Sequence, residues 1–176
     1  KSLLIVDTGK LVPHADTAKH HAAPLAFEFS YGRDRIFTNC GIHPTHPEWQ
    51  YALRSTPAHT TLTIDHRNAF EIKDNGLLGR ISSKPSVERQ GSDDACLITA
   101  KHDAYLPVNG LTHQRRLYLS SNGHDLRGED TLLHMIDTQR NHAFVSRFHL
   151  HPSATAVSVQ GGKEILIKTR GGAGWR

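Results

Sequence analysis

Short runs of alternating apolar and polar positions dominate the chain. Leu3 to Asp7 forms the first run. Leu25, Phe27 and Phe29 then alternate with Ala26, Glu28 and Ser30, which turns the large apolar groups to one face of a strand. Tyr31-Gly32-Arg33-Asp34 supplies turn chemistry, and Arg35 to Asn39 returns as the second strand of a hairpin. Gly41 to Trp49 reads as a loop punctuated by Pro44 and Pro47, followed by a short helical turn over Ala52 to Thr56. Thr60 to Asp65 alternates again. The stretch from about Lys73 to Asp94 is polar and turn-rich, with turns marked at Asp74-Asn75-Gly76 and Ser82-Ser83-Lys84-Pro85. Further strands are predicted at Ala95 to His102, around Leu117 to Leu119, at Asp125 to Leu133, and at Ala143 to His151. Ala156 to Val159 and Glu164 to Thr169 complete the set. Asn122-Gly123 between two such runs is a strong hairpin signal.

No window carries a long stripe of period 3.6. Short strands with turn signals every eight to twelve residues predict an all-β fold, a large antiparallel β-sandwich, formed as a single domain over residues 1–176. At 176 residues there is enough chain for a sizeable core. An apolar fraction of 37% and a mean hydropathy of −0.48 fit a globular protein. No apolar run approaches the roughly 20 residues of a membrane span. The chain shows no signal-peptide pattern at its start, and we read it as a fragment of a longer protein.

Charge narrows the partners a little. A net charge of +4 permits an anionic ligand, but the basic residues are scattered and not interleaved with aromatic ones, which argues against nucleic acid. Histidine is the unusual component, with 14 residues. Cys40 and Cys96 both sit in apolar strand-like context, which predicts buried free thiols; with no CxxC there is no cysteine zinc site.

Histidine-bearing segments stand at the mouths of the predicted strands. His20-His21 precedes the first hairpin, Asn39 ends it, and His59 precedes the next strand, so His21, Asn39 and His59 would lie at neighbouring strand ends. Other groups have plain readings. His43 and His46 belong on an exposed loop, and His149 and His151 share one strand face. Glu28 faces solvent or pairs with Arg35. Tyr31, Tyr105 and Tyr118 are candidate bases, stacking platforms or core side chains. Arg54, Arg115, Arg116 and Arg147 suit carboxylates or sulfates, or ion pairs within the protein.

Taken together, His21-Ala-x-x-Leu-x-Phe-Glu28, Asn39-Cys40-Gly41 and Arg54-Ser-Thr-x-x-His59-x-Thr-Leu form an ordered set of motifs. Arg116-Leu-Tyr-Leu-Ser120, Leu126-Arg-Gly-Glu-Asp130 and Arg147-Phe-His-Leu-His-Pro152 continue it. The chain resembles the C-terminal β-domain of the heparinase II/III-like polysaccharide lyases. The resemblance implies β-elimination on an acidic, uronate-containing polysaccharide. It also implies an N-terminal helical toroid domain as partner in the same full-length chain, and a periplasmic location. It implies a His-x-His-x-Asp loop, matched here by Lys19, His21 and Ala23, with His20 one residue away as the catalytic candidate. It further implies a structural zinc on His21, Asn39 and His59. The alternative is a non-catalytic carbohydrate-binding or structural module that packs against a helical partner. The lyase reading predicts a groove lined by His20, His21 and His59. The module reading predicts those side chains satisfied internally, with His21 and His59 hydrogen-bonded to Asn39 and nearby backbone.

Overall fold

The computed structural model describes residues 1–9, 14–43, 45–79, 85–92, 95–136 and 140–176. The predicted turn at Ser82 to Lys84 and the predicted break at Pro44 lie outside the described residues. The architecture is all-β and antiparallel throughout. β1 (Ser2–Val6), β2 (Phe27–Tyr31) and β3 (Asp34–Phe37) form one sheet in that order. β5 (Ser86–Ser92), β6 (Ala95–His102), β7 (Leu111–Leu119) and β8 (Leu126–His134) form a four-stranded meander, which comes after the short β4 (Leu62–Ile64). β4 pairs with β9 (Phe144–Ser146), and β10 (Thr155–Val159), β11 (Glu164–Lys168) and β12 (Gly174–Trp175) close the chain as a third small sheet. Helix is confined to short segments, among them α1 (Trp49–Arg54) and α2 (Leu106–Asn109). No helix among the described residues is long and apolar enough to cross a membrane.

The sandwich core follows from alternation. Phe27, Phe29 and Ile36 of one sheet meet Leu117 of the meander, with Leu4, Val6, Leu119, Leu126, Ile167 and Trp175 packed around them. Burying one such side chain stabilises by about 1.5–3 kcal/mol. Phe27 and Phe29 face inward as the pattern predicts, but Leu25 does not extend the strand. It is buried with a left-handed backbone (φ 57°). Its N–H donates to the Asp7 carbonyl (3.0 Å) and its carbonyl accepts from Arg115 Nη1 (2.9 Å), so loop bonds replace the ladder there. A second apolar cluster gathers Leu62, Ile64, Phe70, Leu78, Tyr105 and Leu111. The Tyr105 hydroxyl within it donates to the Leu62 carbonyl at 2.8 Å.

Other expectations are adjusted. The turn-rich middle contains β5, an edge strand registered against β6 from Ser86↔Lys101 to Ser92↔Ala95. The run Ala143 to His151 pairs as a strand only over Phe144–Ser146, with one isolated bridge at Leu150. Cys40 and Cys96 are free but half-buried rather than buried. Glu28 accepts the Asn39 backbone N–H at 3.0 Å instead of pairing with Arg35. At the far end, the Asp34 carboxylate accepts the Thr169 hydroxyl at 2.7 Å and the Gly171 N–H at 3.2 Å, which ties the β11–β12 turn to the β2–β3 turn.

β4 ends in a tight turn of primed type. Asp65 (φ 49°) and His66 (φ 59°) are both left-handed, and the Arg67 N–H closes the turn onto the Ile64 carbonyl at 2.9 Å. Asp65 is held there by His142 Nδ1 (2.7 Å) and by the Ala143 N–H (3.0 Å). Left-handed geometry costs a residue with a Cβ about 1–2 kcal/mol, part of which the freer unfolded chain of glycine cancels. His66→Gly is therefore expected to stabilise by about 0.5–1 kcal/mol in urea unfolding. An unchanged or lowered midpoint would show that the turn carries no strain at His66.

Candidate functional site

The segment carrying His20 and His21 is held by a buried arginine. Arg54, at the end of α1, is 4% exposed. Its Nε donates to the His20 carbonyl (2.8 Å), Nη2 to the Thr17 carbonyl (2.9 Å) and Nη1 to the Gly76 carbonyl (2.7 Å). The Arg54 carbonyl accepts the Ala22 N–H at 2.8 Å, and the Thr56 hydroxyl donates to the Ala22 carbonyl. Arg54 acts here as a clamp on carbonyl oxygens, a role the sequence did not suggest.

The clamp sets His21 against His59. His21 Nδ1 lies 3.0 Å from His59 Nε2, with the rings edge-on at 4.8 Å between centroids. His59 Nε2 is also 3.0 Å from the Leu53 carbonyl. A carbonyl can only accept, so the contact assigns the proton to His59 Nε2 and leaves His21 Nδ1 as an acceptor. Burial pushes the His59 pKa down to about 4, helped by His21, against the Leu53 hydrogen bond. Burial also lowers His21, with Arg54 and His20 adding to the effect and Asp7 opposing it. Both imidazoles are therefore neutral at pH 7.

Asn39 does not join this pair. Its Oδ1 accepts the Thr60 N–H (2.8 Å) and the Thr60 hydroxyl (3.0 Å), and its Nδ2 donates to the Phe27 carbonyl (3.2 Å). The amide thus ties the hairpin to the segment entering β4. A zinc shell on His21, Asn39 and His59 would need a third donor beside the two imidazoles, and this amide is committed elsewhere. No group of three His, Cys, Asp or Glu side chains suited to a metal occurs among the described residues. The donor set does not fit a closed zinc site. His20 is half-buried, and its imidazole makes no hydrogen bond among the described residues. The cavity bordering His21, shared with Asp7, Phe70 and His102, is about 20 Å³, room for a water but not for a sugar ring.

His102 belongs to a buried chain that sequence reasoning missed. The Ala104 N–H donates to His102 Nδ1 (3.2 Å), which forces the His102 proton onto Nε2, facing His113 Nδ1 at 3.1 Å. His113 Nε2 then donates to Asp130 Oδ1 at 2.9 Å. Arg115 grips the same carboxylate through Nε and Nη2, both at 2.7 Å, and its Nη1 donates to the carbonyls of Leu25 and Thr60. His102, His113 and Arg115 are 1%, 0% and 2% exposed. Burial by itself pushes the Asp130 carboxyl up, but hydrogen bonds from His113 and Arg115 outweigh it and hold it well below the usual carboxylate range. Burial keeps His102 neutral, with His113 and Arg115 adding to the effect. The available signal was cross-strand: His102 is registered with His113, and Arg115 with Asp130. Three of the other candidates named from the sequence find ordinary partners. Arg116 lies 3.6 Å from Glu129, Arg147 donates to the Thr63 hydroxyl, and His149 contacts the Pro57 carbonyl at 2.8 Å.

The antiparallel sandwich and the order of its strand-end motifs are those of a heparinase II/III-like β-domain, the class to which the family comparison assigns the chain. The chain belongs to the heparinase II/III-like C-terminal family, whose profile matches residues 1–176. It is 32% identical over 169 residues to the FtsZ-localized protein C of Caulobacter vibrioides, covering 88% of this chain and 29% of that protein. Its fold is similar to that of a heparan sulfate lyase HepC mutant from Pedobacter heparinus, with a TM-score of 0.63 at 15% identity, over 85% of this chain and 22% of that one. The chain thus spans less than a third of the length of either protein.

Proposed function

We propose that this chain is a non-catalytic β-module of the heparinase II/III-like family that packs against a helical partner domain. The observation that carries the reading is the contact of His21 Nδ1 with His59 Nε2 at 3.0 Å. The facing nitrogens of the two imidazoles that the family resemblance assigns to the site satisfy each other, and the adjoining cavity has no room for a glycan ring. β-Elimination needs a base aimed at the C5 proton and donors that neutralise the neighbouring carboxylate. Lys19 and Ala23 stand where the resemblance asks for His and Asp. Exposed apolar side chains give such a module surfaces for a partner: Leu3 and Ile5 on β1, and the cross-strand pair Val157 and Leu166. The name of the Caulobacter relative, which places that protein with FtsZ, suits a domain that binds rather than cuts.

One observation favours the lyase reading. The His20 imidazole is half-buried and without a hydrogen bond among the described residues, so it is available as a base once a helical domain completes the site. The full-length protein, incubated with heparan sulfate, chondroitin sulfate, hyaluronan and alginate, is expected to release no unsaturated uronate, as read by ultraviolet absorbance. Product that disappears in a folded His20→Ala variant would overturn the non-catalytic reading and assign His20 as the base.

A further inference from the structure

A cleft of about 500 Å³ opens between α1, the His66–Ile72 segment and α2, and it is lined by none of His20, His21, Asn39 or His59. Its wall mixes ring faces with planar polar groups. Tyr51 is 59% exposed and offers an aromatic face. Asn68, Glu71 and Arg67 contribute an amide, a carboxylate and a guanidinium. Asn109, 5% exposed, closes one side. Its Nδ2 donates to Asp65 Oδ2 at 2.8 Å, while its Oδ1 is buried with no hydrogen-bond partner among the described residues. His142, behind Asp65, likewise has Nδ1 on the carboxylate and Nε2 without a partner among the described residues. Both atoms are shut off from the cleft, so the polar groups open to a ligand are those of Arg67, Asn68 and Glu71. The strained Asp65–His66 turn stands at the rim, and backbone strain of this kind is concentrated at ligand clamps.

The chemistry of the wall selects a ligand class. A sugar hydroxyl donates and accepts together, which matches adjacent amide, carboxylate and guanidinium groups. The apolar face of a pyranose suits an exposed tyrosine ring. The volume lies within the range of small-ligand clefts. Glu71 and Arg67 put one charge of each sign in the wall, so the cleft has no excess positive charge with which to hold a carboxylated sugar.

We propose that this cleft binds an uncharged saccharide unit, with Tyr51 as its stacking face and Arg67, Asn68 and Glu71 as hydroxyl partners. The site is independent of the non-catalytic reading, and its ligand differs from the acidic glycan that the family resemblance implies. The full chain is titrated with cellobiose and with N,N′-diacetylchitobiose, followed by nuclear magnetic resonance of the Asn68 and Asn109 side-chain amides. A hyaluronan disaccharide serves as the charged counterpart. The expected result is a saturable shift with at least one neutral probe. Binding should fall at least tenfold in Tyr51→Ala, a solvent-facing change whose fold is checked by thermal unfolding, and at least tenfold for the charged disaccharide. No saturable shift with either neutral probe overturns the proposal. So does equal affinity for the charged disaccharide, or undiminished binding in both Tyr51→Ala and Asn68→Ala.

Discussion

Replacing Arg115 with alanine is expected to destabilise the domain by about 3–5 kcal/mol, because it strips a buried ion pair of one partner. Among the described residues Asp130 would keep only His113 (2.9 Å) and the Ser146 hydroxyl (3.2 Å), and the carbonyls of Leu25 and Thr60 would each lose a charged donor. Against a total of about 5–15 kcal/mol for a typical domain, the loss removes a large share of the stability. Arg115→Lys should recover little, since one ammonium cannot reach a bidentate carboxylate and two carbonyls from a single position. Removing both charges at once, as Arg115→Met with Asp130→Leu, should cost less than Arg115→Ala alone, because no uncompensated charge then stays buried. Urea unfolding of the three variants checks the order. A loss below about 1 kcal/mol for Arg115→Ala would mean that the ion pair contributes no more than a surface one.

The second large effect is acid sensitivity above the carboxylate range. His59 has a folded pKa of about 4, below its unfolded value of 6.5. Its contribution is complete above the unfolded value and is lost as pH falls toward the folded one. At pH 5 the loss from His59 alone is about 2 kcal/mol. His21 and His102, also shifted downward, act in the same direction. Asp130 enters only at lower pH, where its unfolded form begins to protonate. Urea midpoints measured from pH 7.5 to pH 5 should therefore decline steadily. His59→Gln should start from a lower midpoint and decline less. Equal midpoints at both ends would show that burial does not hold these rings neutral.

The same buried polar groups explain how much of the fold was legible. The β2–β3 hairpin was readable because Phe27, Phe29 and Ile36 point inward, and β6 and β11 because each carries a short apolar run, Cys96-Leu97-Ile98 and Ile165-Leu166-Ile167. In β7 only the end around Leu117 to Leu119 was readable, although the strand begins at Leu111. Its inward positions include His113 and Arg115, which break the apolar alternation without breaking the pleat. β5 carries Glu88, Arg89 and Gln90 on an edge and has no apolar face to display. For the site, motif order brought His21 and His59 together correctly, whereas the bonding of Asn39 depends on where the Thr60 hydroxyl sits. The His102–His113–Asp130 chain needs the register of three strands, which no local window contains. Residues used to satisfy one another across sheets leave only weak traces in a single sequence.

The pairing of β4 with β9 has a consequence for synthesis of the chain. Leu62, Thr63 and Ile64 are buried in the finished fold, yet Thr63 and its strand partner Val145 are 82 positions apart. Contacts of this span close late, after the loop between them has been made. On the ribosome, β4 therefore waits as an apolar segment with an open hydrogen-bonding edge until Ser146 has emerged. A nascent chain halted earlier presents that edge to its neighbours, and the exposed segment is where chaperone capture or self-association would begin.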